Sequence, residues 1–94
     1  MFEAVIVGEG TIAAYRALGH ADREAVDRLI RIIEMAPEID ELHKAPVPTP
    51  IGMMTAYDSG TWRIMYKLVD NATVEIWGIS RIRDEPPLPP HLRL

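Results

Sequence analysis

Four cationic side chains and one flat aromatic crowd the second half of this chain: Arg63, Lys67, Trp77, Arg81 and Arg83. Guanidinium and ammonium groups neutralise phosphates, and an indole offers a stacking surface to a base, so together they suit an anionic polymer. Arg63 and Lys67 stand in an apolar run over 61–69, and Arg81 closes a second run over 73–82, with Arg83 just beyond. The break between them, Asp70-Asn71-Ala72, is short and polar, which predicts a β-hairpin. Folding the runs antiparallel brings Arg63 close to Arg81 and Arg83.

The register of that hairpin decides whether they share a face, because side chains alternate along a strand. A three-residue Asn71-Ala72-Thr73 loop sets Arg63 opposite Arg81 and Thr61 opposite Arg83, with Trp77 beside Lys67 on the same face. It also gathers Trp62, Ile64, Tyr66, Leu68, Ile76 and Ile82 into one apolar face. A two-residue Asn71-Ala72 loop sends Arg81 and Arg83 to the other face. The apolar clustering favours the three-residue loop.

Other parts of the chain must hold this hairpin. Residues 2–7 are apolar and partly β-branched and end at Gly8, so a first strand is expected. Thr11 is placed to cap a short helix over 11–18, broken at Gly19. A longer helix over 21–36 carries Val26, Leu29, Ile30 and Ile33 at helical spacing, with charged residues on the other side, and Pro37 ends it. Four prolines, Pro37, Pro46, Pro48 and Pro50, make the stretch to residue 50 a loop and a poor central strand. Strands are expected over 51–57, 61–69 and 73–82. The fold class is then α+β, in the order strand-helix-helix-strand-strand-strand, with two helices packed on one face of a mixed, mainly antiparallel sheet. Residues 1–85 form one domain and 86–94 a proline-rich tail, Pro86-Pro87-Leu88-Pro89-Pro90, that favours polyproline II.

Composition bounds the chemistry. The 94 residues carry 14 acidic and 10 basic side chains, a net charge of −4, which argues against a dedicated nucleic-acid binder with a positive surface. Acids concentrate between Glu34 and Glu41, so a local basic patch elsewhere is compatible with the balance. Without cysteine there is neither disulfide nor thiolate metal site. His43 beside Glu38, Asp40 and Glu41 has no second histidine or fixed spacing and reads as an acidic loop; no metal and no cofactor is expected. No signal-like or membrane-length apolar run occurs, and a cytoplasmic protein is the expectation.

The Trp62-Arg63-Ile64-Met65-Tyr66 run, the hairpin ending in Arg81-Ile82-Arg83-Asp84, and the order of elements before them resemble the RelE/ParE toxin superfamily. The resemblance in order extends from Phe2 to about Glu85; its sequence signal lies in residues 60–84. It implies the toxin of a type II toxin–antitoxin pair, with a cognate antitoxin as partner. RelE-type members cut mRNA in the ribosome without metal; ParE-type members bind DNA gyrase without cutting. A homodimer is also compatible, since Ile32, Ile33 and Met35 exceed what one helix face needs.

Carried over residue by residue, Arg63 and Arg83 match the family's catalytic arginines, as electrostatic stabilisers of a scissile phosphate. Lys67, Trp77 and Arg81 are the RNA-binding candidates beside them. The pattern departs elsewhere. Where RelE-type enzymes place lysines on the preceding strand, this chain has Met53-Met54-Thr55-Ala56-Tyr57, and His91 is the acid or base left in the tail. The structural alternatives are plain: Arg63 pairs with Asp58 or Asp84 or stacks on an aromatic, Arg81 and Arg83 form a solvated strand end, and Trp77 covers Lys67. A RelE-like nuclease and a non-enzymatic binding protein are therefore both open.

Overall fold

The computed structural model describes residues 2–40 and 43–82. Its elements are β1 (Glu3–Ile6), α1 (Glu9–Arg16), α2 (His20–Met35), β2 (Lys44–Thr49), β3 (Gly52–Asp58), β4 (Trp62–Leu68) and β5 (Thr73–Arg81). They form one sheet in the order β1-β5-β4-β3-β2, with β1 parallel to β5 and every other pair antiparallel. The expected α+β architecture, with its strand-helix-helix-strand opening, is what the chain adopts. Arg83, His91 and the segment 86–94 lie outside the described residues.

Both helices pack on one face of the sheet because each has one apolar stripe to bury. Val26 and Ile33 of α2 meet Ile64, Tyr66, Val74 and Ile76 of the central strands, with Tyr15 and Leu18 packed against the same core. Fully burying one such aliphatic side chain contributes about 1.5–3 kcal/mol, so this cluster holds the layers together. Leu68, expected among the apolar face, is exposed at the hairpin end of β4.

The stretch before residue 50 departs from expectation. Residues Lys44–Thr49, expected as loop, form β2. The prolines are compatible with it because β2 is an edge: among the described residues it pairs with β3 alone, so Pro46 and Pro48 forgo no ladder bond on the outer side. The opposite edge, β1, is closed differently. The backbone N–H groups of Phe2 and Ala4 donate to the Glu34 carbonyl (3.2 Å) and the Glu34 carboxylate (2.8 Å) of α2. Neither edge presents a clean row of donors.

The end of α2 is tied to the sheet by polar groups. Helix α2 has no basic residue in its last turn. Lys44, buried in β2, supplies that charge from outside: its Nζ donates to the Ala36 carbonyl at 2.6 Å, lies 3.6 Å from Asp40, and sits 5.7 Å from the centre of the Tyr57 ring. Tyr66, fully buried in β4, donates its hydroxyl to the Pro37 carbonyl at 2.6 Å. Burial, then the nearby Asp40 and Glu38 charges, push the Tyr66 phenol well above its ordinary value. Tyr15 is raised too, first by its hydrogen bond to Asp27 (2.6 Å) and then by burial.

Both phenols have raised values in the folded state, so their stabilisation is complete below the unfolded value of 10.0 and is lost as pH rises through the folded values. Urea unfolding should show stability constant to about pH 9 and falling above pH 10, by up to about 1.4 kcal/mol per pH unit for each phenol still protonated. Tyr66→Phe should unfold about 1–3 kcal/mol more easily at neutral pH, leaving the Pro37 carbonyl unpaired, and should show a shallower alkaline decline.

Candidate functional site

Strand β4 carries the core and the candidate chemistry on opposite faces. Trp62, Ile64 and Tyr66 point to the helices, and Arg63, Met65 and Lys67 to the other, helix-free face. The register against β5 is of two kinds: at the hairpin end it fits neither loop considered from the sequence, and beyond a shift it is that of the two-residue loop, the alternative that sends Arg81 to the other face. Near the hairpin end Leu68 pairs with Val74, Lys67 with Glu75 and Tyr66 with Ile76; beyond a shift, Met65 pairs with Gly78, Arg63 with Ser80 and Trp62 with Arg81. The residue left without a partner is Trp77, which forms a β-bulge.

This bulge decides the site. Before it, even-numbered residues of β5 (Val74, Ile76) face the helices; after it, odd-numbered ones (Ile79, Arg81) do. Arg81 therefore stands on the helix face, opposite Trp62 rather than Arg63. There its guanidinium bonds Asp22 of α2 at 2.5 Å and lies 4.8 Å from the centre of the Trp62 ring. The expected grouping of Arg81 with Arg63 is corrected on that ground: one extra residue turns over everything after it.

Bulges leave backbone groups outside the ladder. The Trp77 carbonyl accepts a hydrogen bond from the Thr11 hydroxyl at 2.7 Å. Thr11 is thus not the expected N-cap; α1 begins at Glu9 after Gly8, whose φ of 87° suits glycine, and Thr11 pins α1 to the bulge. The Trp77 indole N–H donates to Glu75 at 3.1 Å, which places the ring on the helix-free face with Glu75 and Lys67. A β-carbon at residue 78 would come 3.3 Å from both Cβ and Cγ of Met65, so glycine is what admits the close pairing there.

Arg63 sits mid-row on the helix-free face, between Asp58 on β3 and Ser80 on β5. It is buried, and a guanidinium nitrogen lies 3.5 Å from the Asp58 carboxylate. The second oxygen of Asp58 accepts from Gly60 N–H at 2.8 Å, so the β3–β4 turn holds the counter-ion in place. The sequence-level alternative of an Arg63–Asp58 pair is therefore realised. Lys67, about 13 Å further along β4, reaches toward Gly52, where its Nζ would lie 3.9 Å from an added β-carbon.

Of the candidate residues, Arg63, Lys67 and Trp77 share a face, Arg81 does not, and Arg83 lies outside the described residues. Two flanking partners escaped the sequence reading. Ser80 follows only from the register, and Glu75 is one of many acids. The bulge had a sequence signal, Gly78 inside an otherwise β-branched and aromatic run. Among the described residues no cluster of histidine and carboxylate side chains is placed to hold a metal ion, and no helix is long and apolar enough to cross a membrane. Comparison with family models, with curated proteins and with solved structures finds no match to this chain.

Arg81 and Lys67 should respond to truncation to different degrees. Arg81→Ala removes the Asp22 pair, the Trp62 contact and packed stem methylenes, and should cost about 1–2 kcal/mol in urea unfolding. Lys67→Ala should change stability by no more than about 0.5 kcal/mol. Equal small effects would place Arg81 at a solvated strand end instead.

Proposed function

We propose that this chain is a RelE/ParE-like toxin component that acts by binding a macromolecular partner rather than by cutting RNA. The observation that supports it is that Arg63 is buried against the Asp58 carboxylate, while Arg81, a candidate RNA contact, is held to Asp22 and Trp62 on the opposite face. Phosphodiester transfer needs positive charge concentrated on one developing anion, and an arginine already countered by a carboxylate supplies less of it. The partners of this reading are a cognate antitoxin and a cellular target of the ParE kind, such as DNA gyrase.

The second reading is ribosome-dependent mRNA cleavage, with Arg63 and Arg83 as electrostatic catalysts and Lys67 and Trp77 as RNA contacts. It is favoured by Arg63, Lys67 and Trp77 sharing the helix-free face.

Expression of the wild type and of Arg63→Ala in cells, with growth, translation and mRNA 5′ ends followed together, separates the two. The binding reading expects arrest without new mRNA ends. New in-frame cuts that disappear in Arg63→Ala would establish the nuclease. A folded protein that arrests nothing would overturn the toxin assignment.

A further inference from the structure

Turns between strands are ordinarily polar, because their side chains face water. Two hairpin ends of this sheet depart from that rule side by side. Ile51 stands in the β2–β3 turn and Val69 opens the β4–β5 turn, 55% and 45% exposed. Carrying the β3–β4 register two residues past the Thr55–Tyr66 pair sets Met53 beside Leu68, which are 57% and 42% exposed. The Lys67 Nζ, 3.9 Å from where a β-carbon at Gly52 would stand, shows independently that the two ends are neighbours. Half of the eight large apolar side chains exposed among the described residues lie here, so they form a patch and not the usual scatter. Both turns are also closed from within. The Thr49 hydroxyl donates to the Gly52 carbonyl at 2.5 Å and accepts from the Ile51 N–H at 3.3 Å. Asp70 accepts from the Ala72 and Thr73 N–H groups at 2.7 and 2.8 Å. The apolar side chains are therefore displayed on preorganised turns and add nothing to the core, a break with local rules of the kind found at binding surfaces.

We propose that this end of the sheet is a docking surface for an amphipathic helix of a partner chain, one whose apolar stripe is flanked by Lys or Arg. Charge selects the occupant. Asp70 lies in the β4–β5 turn, Glu3 is joined to that turn by its N–H bond to the Ala72 carbonyl (2.8 Å), and Glu75 stands opposite Lys67. Along these strand ends three acids face one cation. A second copy of this chain, itself at net −4, would bring the same acids against them, and an anionic lipid or a nucleic acid would be repelled. A basic partner is attracted. Size selects the form. Strands β2 to β5 span about 14 Å between their outer axes, close to the ~10–12 Å width of a helix with its side chains. A stripe at i, i+3, i+4 and i+7 matches a patch of that breadth. Such a helix contacts side chains alone, so it needs no free strand edge. The surface does not include Arg63, and the inference is independent of the function proposed above.

The test uses two fluorescein-labelled synthetic helices of about 18 residues, with Leu on one stripe and either Lys or Glu on the remaining positions. By fluorescence anisotropy the full chain should bind the Lys helix at least about tenfold more tightly than the Glu helix. Met53→Ser combined with Leu68→Ser should weaken binding of the Lys helix at least about tenfold. Both positions are exposed, so the urea midpoint and far-UV circular dichroism should stay unchanged. Ile51→Ser combined with Val69→Ser serves in the same way if the first pair disturbs folding. No binding of the Lys helix, equal binding of the Glu helix, or binding that survives both serine pairs would overturn the proposal. A concentration-dependent dimer in sedimentation velocity that the serine pairs abolish would also overturn it, assigning the surface to a second copy.

Discussion

Side chains of a strand alternate strictly between two faces, and only an unpaired residue can break that alternation. In this domain Trp77 is that residue. Its insertion between Ile76 and Gly78 lets one strand serve two patterns: Val74 and Ile76 reach the core before the bulge, and Ile79 continues it afterwards from the opposite parity. Arg81 is carried to the helix face by the same offset. The Thr11 hydroxyl meets the stray Trp77 carbonyl, so α1 is tied directly to the bulge of the central hairpin. Much that distinguishes one face of the sheet from the other depends on this irregularity.

The second determinant is how the far end of α2 is received. A helix ends with carbonyls that lack partners, and in a small domain few groups are available to meet them. Here they are met from the sheet: Lys44 from β2 reaches Ala36, and Tyr66 from β4 reaches Pro37 just beyond. The two donors come from strands two places apart in the sheet, so the helix end is braced across its width. The Tyr57 ring beneath the Lys44 ammonium makes burial of that charge tolerable.

What could be read from the sequence follows from which signals are local. The apolar spacing of Val26, Ile30 and Ile33 and the stop at Pro37 were enough for α2, and alternation in 62–66 was enough to place Trp62, Ile64 and Tyr66 on one face of β4 and Arg63 and Met65 on the other. Proline content concealed β2, because the rule that excludes proline from central strands does not apply to an edge, and edge status depends on how distant segments assemble. The grouping of Arg63 with Arg81 failed for a related reason. It required a count of residues through a hairpin, and a count is changed by a bulge whose only trace is Gly78. The Arg81–Asp22 pair spans 59 residues and carries no local mark at all.

The guarded edges of the sheet have a consequence for how this domain meets other chains. A strand rim with free donors and acceptors is a template that accepts almost any extended peptide, itself included, and repeated acceptance leads to fibres. With Glu34 occupying one rim and Pro46 and Pro48 interrupting the other, backbone-to-backbone recruitment is discouraged at both ends. Association is thereby moved from the backbone, which is the same in every protein, to side-chain surfaces, where shape and charge can discriminate among neighbours.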